Sequence, residues 1–236
     1  MLILFDIDHT LLATQGVGLQ AMHAAGNDLY GERFKPGTVD FAGRLDPLII
    51  GDMLRNSGLA YSRDAVQAFK RAMTGHMARH LEPAHAARTL PGVIELLDHL
   101  ASVQRARRDL HLGVLTGNFE PTGRMKLERC GIDPRRFHVF AWGDDSPNEI
   151  PCRADLVPVA MERDASLRGR LLGGHEVRVV GDTVHDVVCA RAHGCESLAV
   201  ATGRTGFEQL EAAGATRTVR DLSETADIAR WLLRPV

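Results

Sequence analysis

From residue 89 onward, short apolar runs alternate along the chain with longer amphipathic stretches. Short apolar runs bounded by polar or turn-forming residues predict buried strands. Such runs occupy residues 111–115, 137–142, 177–180 and 197–201, with a shorter edge strand expected at 216–219. The run at residues 2–5 adds a strand that is apolar at every position, which is typical of a central strand buried on both faces.

The amphipathic stretches between these runs predict helices, because their apolar residues recur at helical spacing. Pro91-Gly92 opens the first of them, and Gly173-Gly174 is expected to close the third. The predicted helices lie near residues 93–100, 120–130, 154–171, 184–193, 206–213 and 223–233. This alternation of strands and helices predicts an α/β fold of Rossmann-like type, with a parallel sheet covered by helices on both faces.

The segment from residue 14 to residue 88 interrupts the alternation. It contains no apolar run that predicts a strand, and its periodicity predicts helices near residues 17–30, 46–56 and 63–80. We therefore expect two domains. Residues 1–13 and 89–236 would form the α/β core, and residues 14–88 would form an all-helical cap inserted directly after the first strand.

Composition and charge exclude several classes of protein. The 236 residues are 44% hydrophobic and 25% charged, as in ordinary globular proteins. The formal net charge of −2 gives no reason to expect nucleic acid or an anionic membrane as a partner. No apolar stretch approaches the ~18 residues that span a bilayer, and the run at residues 1–5 lacks the features of a signal peptide. We expect a cytoplasmic protein and leave its oligomeric state open.

Reactive side chains directly follow three of the predicted strands. Asp6 and Asp8 follow the first strand, and their spacing of two along an extended backbone directs both side chains the same way. Thr116-Gly117-Asn118 follows a second strand, and Asp182 and Asp186 follow a third. Because ligands bind at the carboxyl ends of the strands in open parallel sheets, we expect these residues to share one crevice.

Each of these groups taken alone has an ordinary structural explanation. A pair such as Asp6 and Asp8 is common in surface turns, and Thr-Gly-Asn is a frequent turn sequence. Asp182 or Thr183 would serve well as the N-cap of the helix that follows. The occurrence of all three groups at the ends of core strands favours a functional site.

Four converging carboxylates predict a bound cation. At ~4 Å and an effective dielectric constant of ~20, each like-charged pair costs on the order of 4 kcal/mol. Such a cluster persists only with a cation or with raised pKa values. Because the candidate ligands are Asp6, Asp8, Asp182 and Asp186, and none is His or Cys, we expect Mg²⁺ rather than zinc.

The residues at these strand ends resemble the motifs of the haloacid dehalogenase superfamily. The resemblance is carried by residues 2–11 (LILFDIDHTL), 115–118 (LTGN) and 180–186 (VGDTVHD). The chain is most similar to the phosphoglycolate-phosphatase-like branch, in which a helical cap of the C1 type is inserted after the first motif. The insert at residues 14–88 falls where that cap belongs, so the resemblance covers essentially the whole chain.

The resemblance implies roles for the four aspartates. Asp6 would be the nucleophile that forms an aspartyl-phosphate, and Asp8 would be the general acid and then the general base. Mg²⁺ would be held by the carboxylates of Asp6 and Asp182 and by the backbone carbonyl of Asp8. Asp186 would orient the water shell of the metal.

The resemblance also implies a phosphate-binding set. Thr116 and the backbone N–H groups that follow it, at Gly117 and Asn118, would hold the phosphoryl oxygens. Many relatives add a Lys-Pro pair after the third strand, but this chain has none there. We expect Arg153 to supply the missing charge, since a guanidinium bridges two phosphate oxygens. Lys126 is the alternative, although a lysine on an amphipathic helix is more often solvated.

These expectations combine into a function. Asp8 favours phosphoryl chemistry over dehalogenation, because dehalogenating relatives lack this second carboxylate. We expect a Mg²⁺-dependent phosphatase that acts on a small phosphorylated metabolite, either phosphoglycolate-like or a sugar phosphate. Arg44, in a turn before a cap helix, is a candidate contact for an anionic part of the substrate. A sugar phosphomutase or phosphotransferase of the same fold is the alternative, because mutases share every core motif.

Overall fold

The computed structural model describes residues 1–235 and contains two sets of strands. The larger set consists of β1 (Leu2–Phe5), β4 (His111–Leu115), β5 (Val139–Ala141), β6 (Val177–Gly181), β7 (Glu196–Val200) and β8 (Arg217–Val219). The smaller set consists of β2 (Leu12–Thr14) and β3 (Ala87–Thr89). The strands predicted from the apolar runs all form. The strand predicted at residues 137–142 is shorter than expected and covers only Val139–Ala141.

The helices fall into an inserted group and a core group. The inserted group is α1 (Val17–Tyr30), α2 (Asp46–Asn56) and α3 (Arg63–Leu81). The core group is α4 (Val93–Ala106), α5 (Glu120–Arg129), α6 (Leu156–Arg168), α7 (Val184–Ala192), α8 (Phe207–Ala212) and α9 (Thr225–Leu233). Among residues 1–235, none of these helices combines the length and the apolar character that crossing a membrane requires.

The predicted end of α6 is wrong. The helix does not run to Gly173-Gly174 but ends at Gly169, which has φ 80° and donates its backbone N–H to the carbonyl of Ala165 at 2.8 Å. A glycine in this left-handed conformation terminates helices because it lacks a Cβ. The later pair instead leads through a 3₁₀ turn, Gly174–Glu176, into β6.

The main sheet has its topological switch at the centre. Within residues 1–235 its strand order is β5-β4-β1-β6-β7-β8, and all of its neighbouring strands pair in parallel. The chain adds β4 and β5 on one side of β1 and then returns to add β6 on the other side. The carboxyl ends of β1, β4 and β6 therefore surround the crevice where such sheets bind ligands.

The uniform apolar character of β1 follows from this central position. Ile3 and Phe5 pack into a hydrophobic cluster with side chains of α4 and α9, whereas Leu2 and Leu4 pack into a cluster with side chains of α6 and α7. All four β1 side chains have an exposed fraction of 0%. The two clusters lie on opposite faces of the sheet, so helices cover both faces, as the alternation of elements predicts.

The inserted helices have a hydrophobic cluster of their own. Side chains from α1, α2 and α3 pack together around Phe69, which is fully buried. Phe119, from the loop between β4 and α5, also packs into this cluster, with an exposed fraction of 0%. This packing supports the division into a core and a cap, and the exact boundaries at residues 14 and 88 stay a prediction.

A two-stranded ribbon, absent from the sequence prediction, joins the two parts. β2 and β3 are antiparallel, with Leu12 opposite Thr89 and Thr14 opposite Ala87. Strands of this length offer too few positions for an alternation to be recognised, and their partners lie far apart in the chain. Both connections to the inserted helices therefore run through one hydrogen-bonded strip.

Gly92, where the chain enters α4, should tolerate substitution poorly. It has φ 75°, and an added Cβ would lie 2.0 Å from the carbonyl oxygen of Leu222. We expect Gly92→Ala to lower the free energy of unfolding by roughly 2–5 kcal/mol, the sum of left-handed strain and overpacking. Urea denaturation measures this change.

Gly131→Ala is the matched control. Gly131 has a similar φ of 71°, but nothing lies within 4 Å of an added Cβ. Gly131→Ala should therefore lower the free energy of unfolding by only about 1–2 kcal/mol, the cost of a left-handed backbone at a residue with a Cβ. Equal losses in the two variants would contradict the steric part of the argument.

Candidate active site

A cavity of about 320 Å³ lies between the core and the inserted helices, above the carboxyl ends of the central strands. The core side carries most of the side chains expected at the site, and Arg44 lies on the inserted side. The expected residues that line the cavity are Asp6, Asp8, Arg44, Thr116, Gly117, Asn118, Lys126, Arg153 and Asp182. Asp186 lies behind this wall, in contact with Arg153.

Three carboxylates meet beneath the cavity. Asp6, Asp182 and Asp186 each bring an oxygen within 4.8 Å of the others, and all three residues are buried. Asp6 follows β1, while Asp182 and Asp186 follow the neighbouring strand β6. The structure thus brings together side chains that are about 180 positions apart in the sequence, as the strand-end argument predicts.

These carboxylates resist simultaneous ionisation. Burial, followed by the charges of Asp6 and Asp186, raises the pKa of Asp182 to about 9. Burial also raises the pKa of Asp6, although the guanidinium of Arg153 opposes the shift. A hard divalent cation with oxygen ligands would relieve this repulsion, and the donor set contains only carboxylate oxygens. Asp6, Asp182 and Asp186 therefore fit Mg²⁺.

Asp186 also stabilises the start of α7. Thr183 is the N-cap, and Asp186 Oδ2 accepts hydrogen bonds from the backbone N–H of Thr183 at 3.1 Å and from its hydroxyl at 2.7 Å. The helix-capping interpretation of this motif therefore applies, with Thr183 in the capping position. Because capping occupies Oδ2, Asp186 presents Oδ1 to the site, where Arg153 donates to it at 2.6 Å.

Arg153 connects the carboxylates to the cap. Its Nη2 lies 2.9 Å from Asp6 Oδ1, and its Nη1 donates to the carbonyl of Gly43 at 3.1 Å. Burial alone would lower the pKa of Arg153, but the charges of Asp186 and Asp6 raise it above its ordinary value. The buried Nε has no hydrogen-bond partner among residues 1–235, so one donor stays available.

The interpretation of Lys126 as a solvated lysine is wrong. Its side chain is 5% exposed, and its Nζ donates to Asp8 Oδ2 at 2.7 Å and to Asn118 Oδ1 at 2.6 Å. Helix α5 turns this residue inward, and no sequence spacing predicts its contact with a residue 118 positions away. Each of the two candidate cations therefore contacts a different aspartate, Arg153 at Asp6 and Lys126 at Asp8.

Asp8 is set apart from the carboxylate cluster. Burial opposes its ionisation, but the charge of Lys126 and hydrogen bonds from Lys126 and Asn118 outweigh it and lower the pKa of Asp8. The sequence argument expects four carboxylates around one ion. The structure places three together and directs the fourth to Lys126, so Asp8 stays a predicted ligand only through its backbone carbonyl.

The loop after β4 forms the floor of the cavity. Thr116 is fully buried, and its hydroxyl accepts a hydrogen bond from Asn118 Nδ2 at 2.8 Å, while the same amide donates to Asp8 Oδ2 at 2.8 Å. A Cβ on Gly117 would lie 2.0 Å from the carbonyl oxygen of Arg44. Glycine at this position therefore lets the cap segment seat directly on the loop.

Asp46, the first residue of α2, was missed by the sequence argument. Its backbone N–H donates to the carbonyl of Gly117 at 2.8 Å, and its Oδ2 accepts from the N–H of Phe119 at 2.9 Å. Burial raises the pKa of Asp46 to about 7, although the charge of Lys126 opposes the shift. In the sequence, an Asp-Pro pair signals only a helix start.

Arg44 lies in the cavity wall but is already paired. Its Nη1 lies 2.6 Å from Asp52 Oδ2 and donates to the carbonyl of Asp40 at 2.9 Å. Asp52 is shared with Arg55, which also contacts it. The proposed contact of Arg44 with the substrate stays a prediction.

His9 occupies an unusual backbone conformation in the first motif. Its φ is 58°, and it is the non-glycine residue with positive φ among residues 1–235. Its backbone carbonyl accepts a hydrogen bond from the hydroxyl of Thr202, in the loop after β7. The loop after β7 therefore holds the backbone of His9, which directly follows Asp8, in place.

A protein-family model agrees with this arrangement. The model described as haloacid dehalogenase-like hydrolase matches residues 3–200, which include Asp6, Asp8, Asp182 and Asp186. The chain belongs to this family. The resemblance noted in the motifs is thereby confirmed, and so is the fold class.

Two relatives are similar to this chain at less than 30% sequence identity. Pyrophosphatase PpaX from Bacillus pumilus is 24% identical over 217 residues, which are 88% of this chain and 86% of that protein. A phosphoglycolate phosphatase from Chromobacterium violaceum is 29% identical over 142 residues, 59% of this chain and 56% of that one.

A solved structure resembles the whole chain. CbbY from Rhodobacter sphaeroides, crystallised with xylulose-1,5-bisphosphate, has 20% sequence identity and a TM-score of 0.69. The match covers 94% of this chain and 95% of that one. At this identity the likeness establishes the fold.

Mg²⁺ should stabilise the folded protein, with or without substrate. If the cluster binds the ion, a concentration 100 times the dissociation constant adds about 2.7 kcal/mol to the free energy of unfolding. Asp182→Asn should remove this gain. It should also make the metal-free protein more stable than the metal-free wild type at neutral pH, because the wild-type carboxyl takes up a proton on folding and the amide does not. Thermal unfolding with Mg²⁺ and with EDTA measures both effects.

Asp98→Asn serves as the control for the metal measurement. Asp98 is exposed and pairs with Arg136, away from the cavity. This variant should keep the full Mg²⁺ effect. The site is assigned incorrectly if Mg²⁺ stabilises Asp182→Asn as much as it stabilises the wild type.

Asp46 should make stability depend on pH. Its folded-state pKa of about 7 lies above the value near 4 expected in the unfolded chain, so the folded state holds a proton that the unfolded state releases. Its contribution to stability therefore falls as the pH rises from about 4 to about 7.

Asp46→Asn cannot ionise and keeps an acceptor for Phe119. Between these pH values the variant should lose on the order of 3 kcal/mol less than the wild type in urea denaturation. Parallel pH profiles would refute this assignment.

Proposed function

We propose that this protein is a Mg²⁺-dependent phosphatase that hydrolyses a small phosphomonoester through an aspartyl-phosphate. The observation that carries the proposal is the pairing of two aspartates in one cavity with two different cations. Asp6 contacts Arg153, and Asp8 contacts Lys126. Two carboxylates in distinct environments suit two distinct chemical roles, one as nucleophile and one as acid and base.

In the proposed first step, a carboxylate oxygen of Asp6 attacks phosphorus. The bond between phosphorus and the leaving oxygen breaks, and the leaving oxygen takes a proton from Asp8. Lys126 lowers the pKa of Asp8 in the free protein, and the negative charge of a bound phosphate would raise that pKa so that Asp8 holds the proton. The contact of Arg153 with Asp6 Oδ1 supports this step, because it fixes the orientation of the carboxylate beneath the cavity.

In the proposed second step, Asp8 accepts a proton from a water molecule as the water oxygen attacks phosphorus. The bond between phosphorus and Asp6 then breaks, which releases inorganic phosphate and restores both aspartates. The hydrogen bond from Asn118 and the ion pair with Lys126 support this role by holding the Asp8 carboxylate in one position.

Charge stabilisation accounts for the remaining parts of the proposed site. Thr116, Gly117 and Asn118 line the cavity, and their hydroxyl and backbone groups would bind phosphoryl oxygens. The free Nε of Arg153 would add a donor. When bound, Mg²⁺ would supply positive charge that offsets the repulsion between the nucleophile and the phosphate. Asp6, Asp182 and Asp186 are the carboxylates in position to hold it.

The cap side of the cavity suggests how water is excluded. Its wall is largely apolar and includes Leu19, Met22, Phe41, Ile49 and Met73. A cavity of about 320 Å³ suits a small metabolite, since pockets for small molecules begin near ~300 Å³. A phosphoglycolate-like compound or a sugar phosphate fits these limits, and the names of the two relatives favour a phosphatase over a mutase.

Phosphate release from a panel of small phosphomonoesters tests the proposal. With Mg²⁺, wild-type protein should release phosphate, and EDTA should abolish the release. Asp6→Asn should lower the rate by about 10⁴-fold or more, since no nucleophile remains. Asp8→Asn should lower it by about 10²–10⁴-fold, the worth of a general acid.

Asp133→Asn is the control for these variants. Asp133 is half-buried in the turn after α5, pairs with Arg135 and lies outside the cavity, so its loss should leave the rate unchanged. Wild-type rates from Asp6→Asn would eliminate the proposed nucleophile. Isomerised substrate without free phosphate would instead establish the mutase alternative.

A further inference from the structure

Four basic side chains line the active-site cavity, and three of them are committed to carboxylates. Arg153 contacts Asp6 and Asp186, and Lys126 contacts Asp8. Arg44 is paired with Asp52. The fourth is Arg204, from the loop between β7 and α8.

Arg204 has a different environment from the other three. Its guanidinium lies over the ring of Phe41, 4.7 Å from the ring centre, and it makes no hydrogen bond or ion pair with another residue in the described part of the chain. Stacking on an aromatic face holds a guanidinium flat without using its N–H donors. The side chain is therefore oriented and positively charged, and its donors are unused.

The loop that carries Arg204 is fixed against the catalytic motifs. The hydroxyl of Thr202 donates to the carbonyl of His9, and a Cβ on Gly203 would lie 1.7 Å from Asp182 Oδ2. These contacts anchor the two residues before Arg204 to the ends of β1 and β6. Phe41 belongs to the inserted segment, so Arg204 stands where the core and the cap meet at the cavity.

We propose that Arg204 binds a second anionic group of the substrate, at the edge of the cavity where the loop after β7 meets Phe41 of the inserted segment. The inference rests on the proposed phosphatase function and narrows its substrate to phosphomonoesters that also carry a carboxylate or a second phosphate. Arg153 and Lys126 neutralise the aspartates that handle the transferred phosphoryl group. Arg204 touches neither aspartate and lies beside the apolar wall that receives the leaving group.

Competition with internal carboxylates favours Arg204 over Arg44 for this role. A substrate anion that binds Arg44 has to displace or share it with Asp52, which lies 2.6 Å away. Arg204 loses only water when it accepts an anion, because its contact with Phe41 leaves the guanidinium edge free. A planar guanidinium also binds a carboxylate or a phosphate through two parallel hydrogen bonds.

Pairs of matched substrates distinguish two roles of Arg204, binding of the second anion and closure of the cap over the cavity. Phosphoglycolate is compared with ethyl phosphate, and 1,3-propanediol bisphosphate with propyl phosphate, so that each pair differs in the second anion. Arg204→Gln should lower kcat/KM for the doubly anionic member by about 10- to 100-fold, mainly through KM, the worth of a charge-assisted hydrogen bond. The singly phosphorylated member should be unaffected. Arg204→Lys should recover part of the loss because it keeps the charge. The pair that responds identifies the second anion as a carboxylate or a phosphate.

Arg220→Gln is the matched control. Arg220 is also exposed and stacks on an aromatic ring, that of Phe207, at 5.7 Å, but it lies outside the cavity. This variant should leave kcat/KM unchanged for both substrate pairs. Equal losses in Arg204→Gln for both members of each pair would show that the residue only closes the cap and would overturn the proposal.

A binding measurement keeps this test separate from the proposed function. Calorimetry on Asp6→Asn and on Asp6→Asn/Arg204→Gln, each with Mg²⁺, compares the affinity for phosphoglycolate, for the bisphosphate and for their singly anionic partners without turnover. The double variant should bind the doubly anionic ligands about 10- to 100-fold more weakly. Unchanged affinity for all four ligands would overturn the role of Arg204 even if the wild type is an active phosphatase. A wild type that releases no phosphate would refute the proposed function while the affinities still decide the role of Arg204.

Discussion

The repulsion among three buried carboxylates governs the architecture around the cavity. Asp6, Asp182 and Asp186 are held at the point where the strand order reverses, and burial opposes the ionisation of Asp6 and Asp182. Arg153 offsets part of this cost by contacting two of them. Because the same guanidinium reaches the carbonyl of Gly43, the balance of charge in the core is coupled to the position of the inserted segment.

The parts of the molecule that sequence could predict depend on local order. The apolar run of β1 indicates burial on both faces, and the strand ends carry the aspartates because parallel strands bring their carboxyl ends to one edge. Regular alternation along the chain determines which segments become neighbours, so distant motifs such as those of Asp6 and Asp182 can be placed together before any coordinate is known.

The parts that sequence could not predict depend on contacts between segments without a shared repeat. Lys126 faces Asp8 only because of how α5 packs on the sheet, and Asp46 gains its environment from Phe119 in another part of the chain. Periodicity distinguishes a buried face from an exposed one, but it does not identify the partner of a polar side chain on that face. Charged residues at the junction of two packed units are therefore the ones whose roles are decided by tertiary structure.

The ribbon of β2 and β3 has a consequence for engineering of the chain. Because Thr14 stands opposite Ala87, the two ends of the inserted segment are already in hairpin register. A tight turn between them would close the ribbon and leave the six-stranded sheet of residues 1–235 uninterrupted. The same geometry would allow helical segments of different length and composition to be inserted at this position while the strands that carry Asp6 and Asp182 keep their pairing.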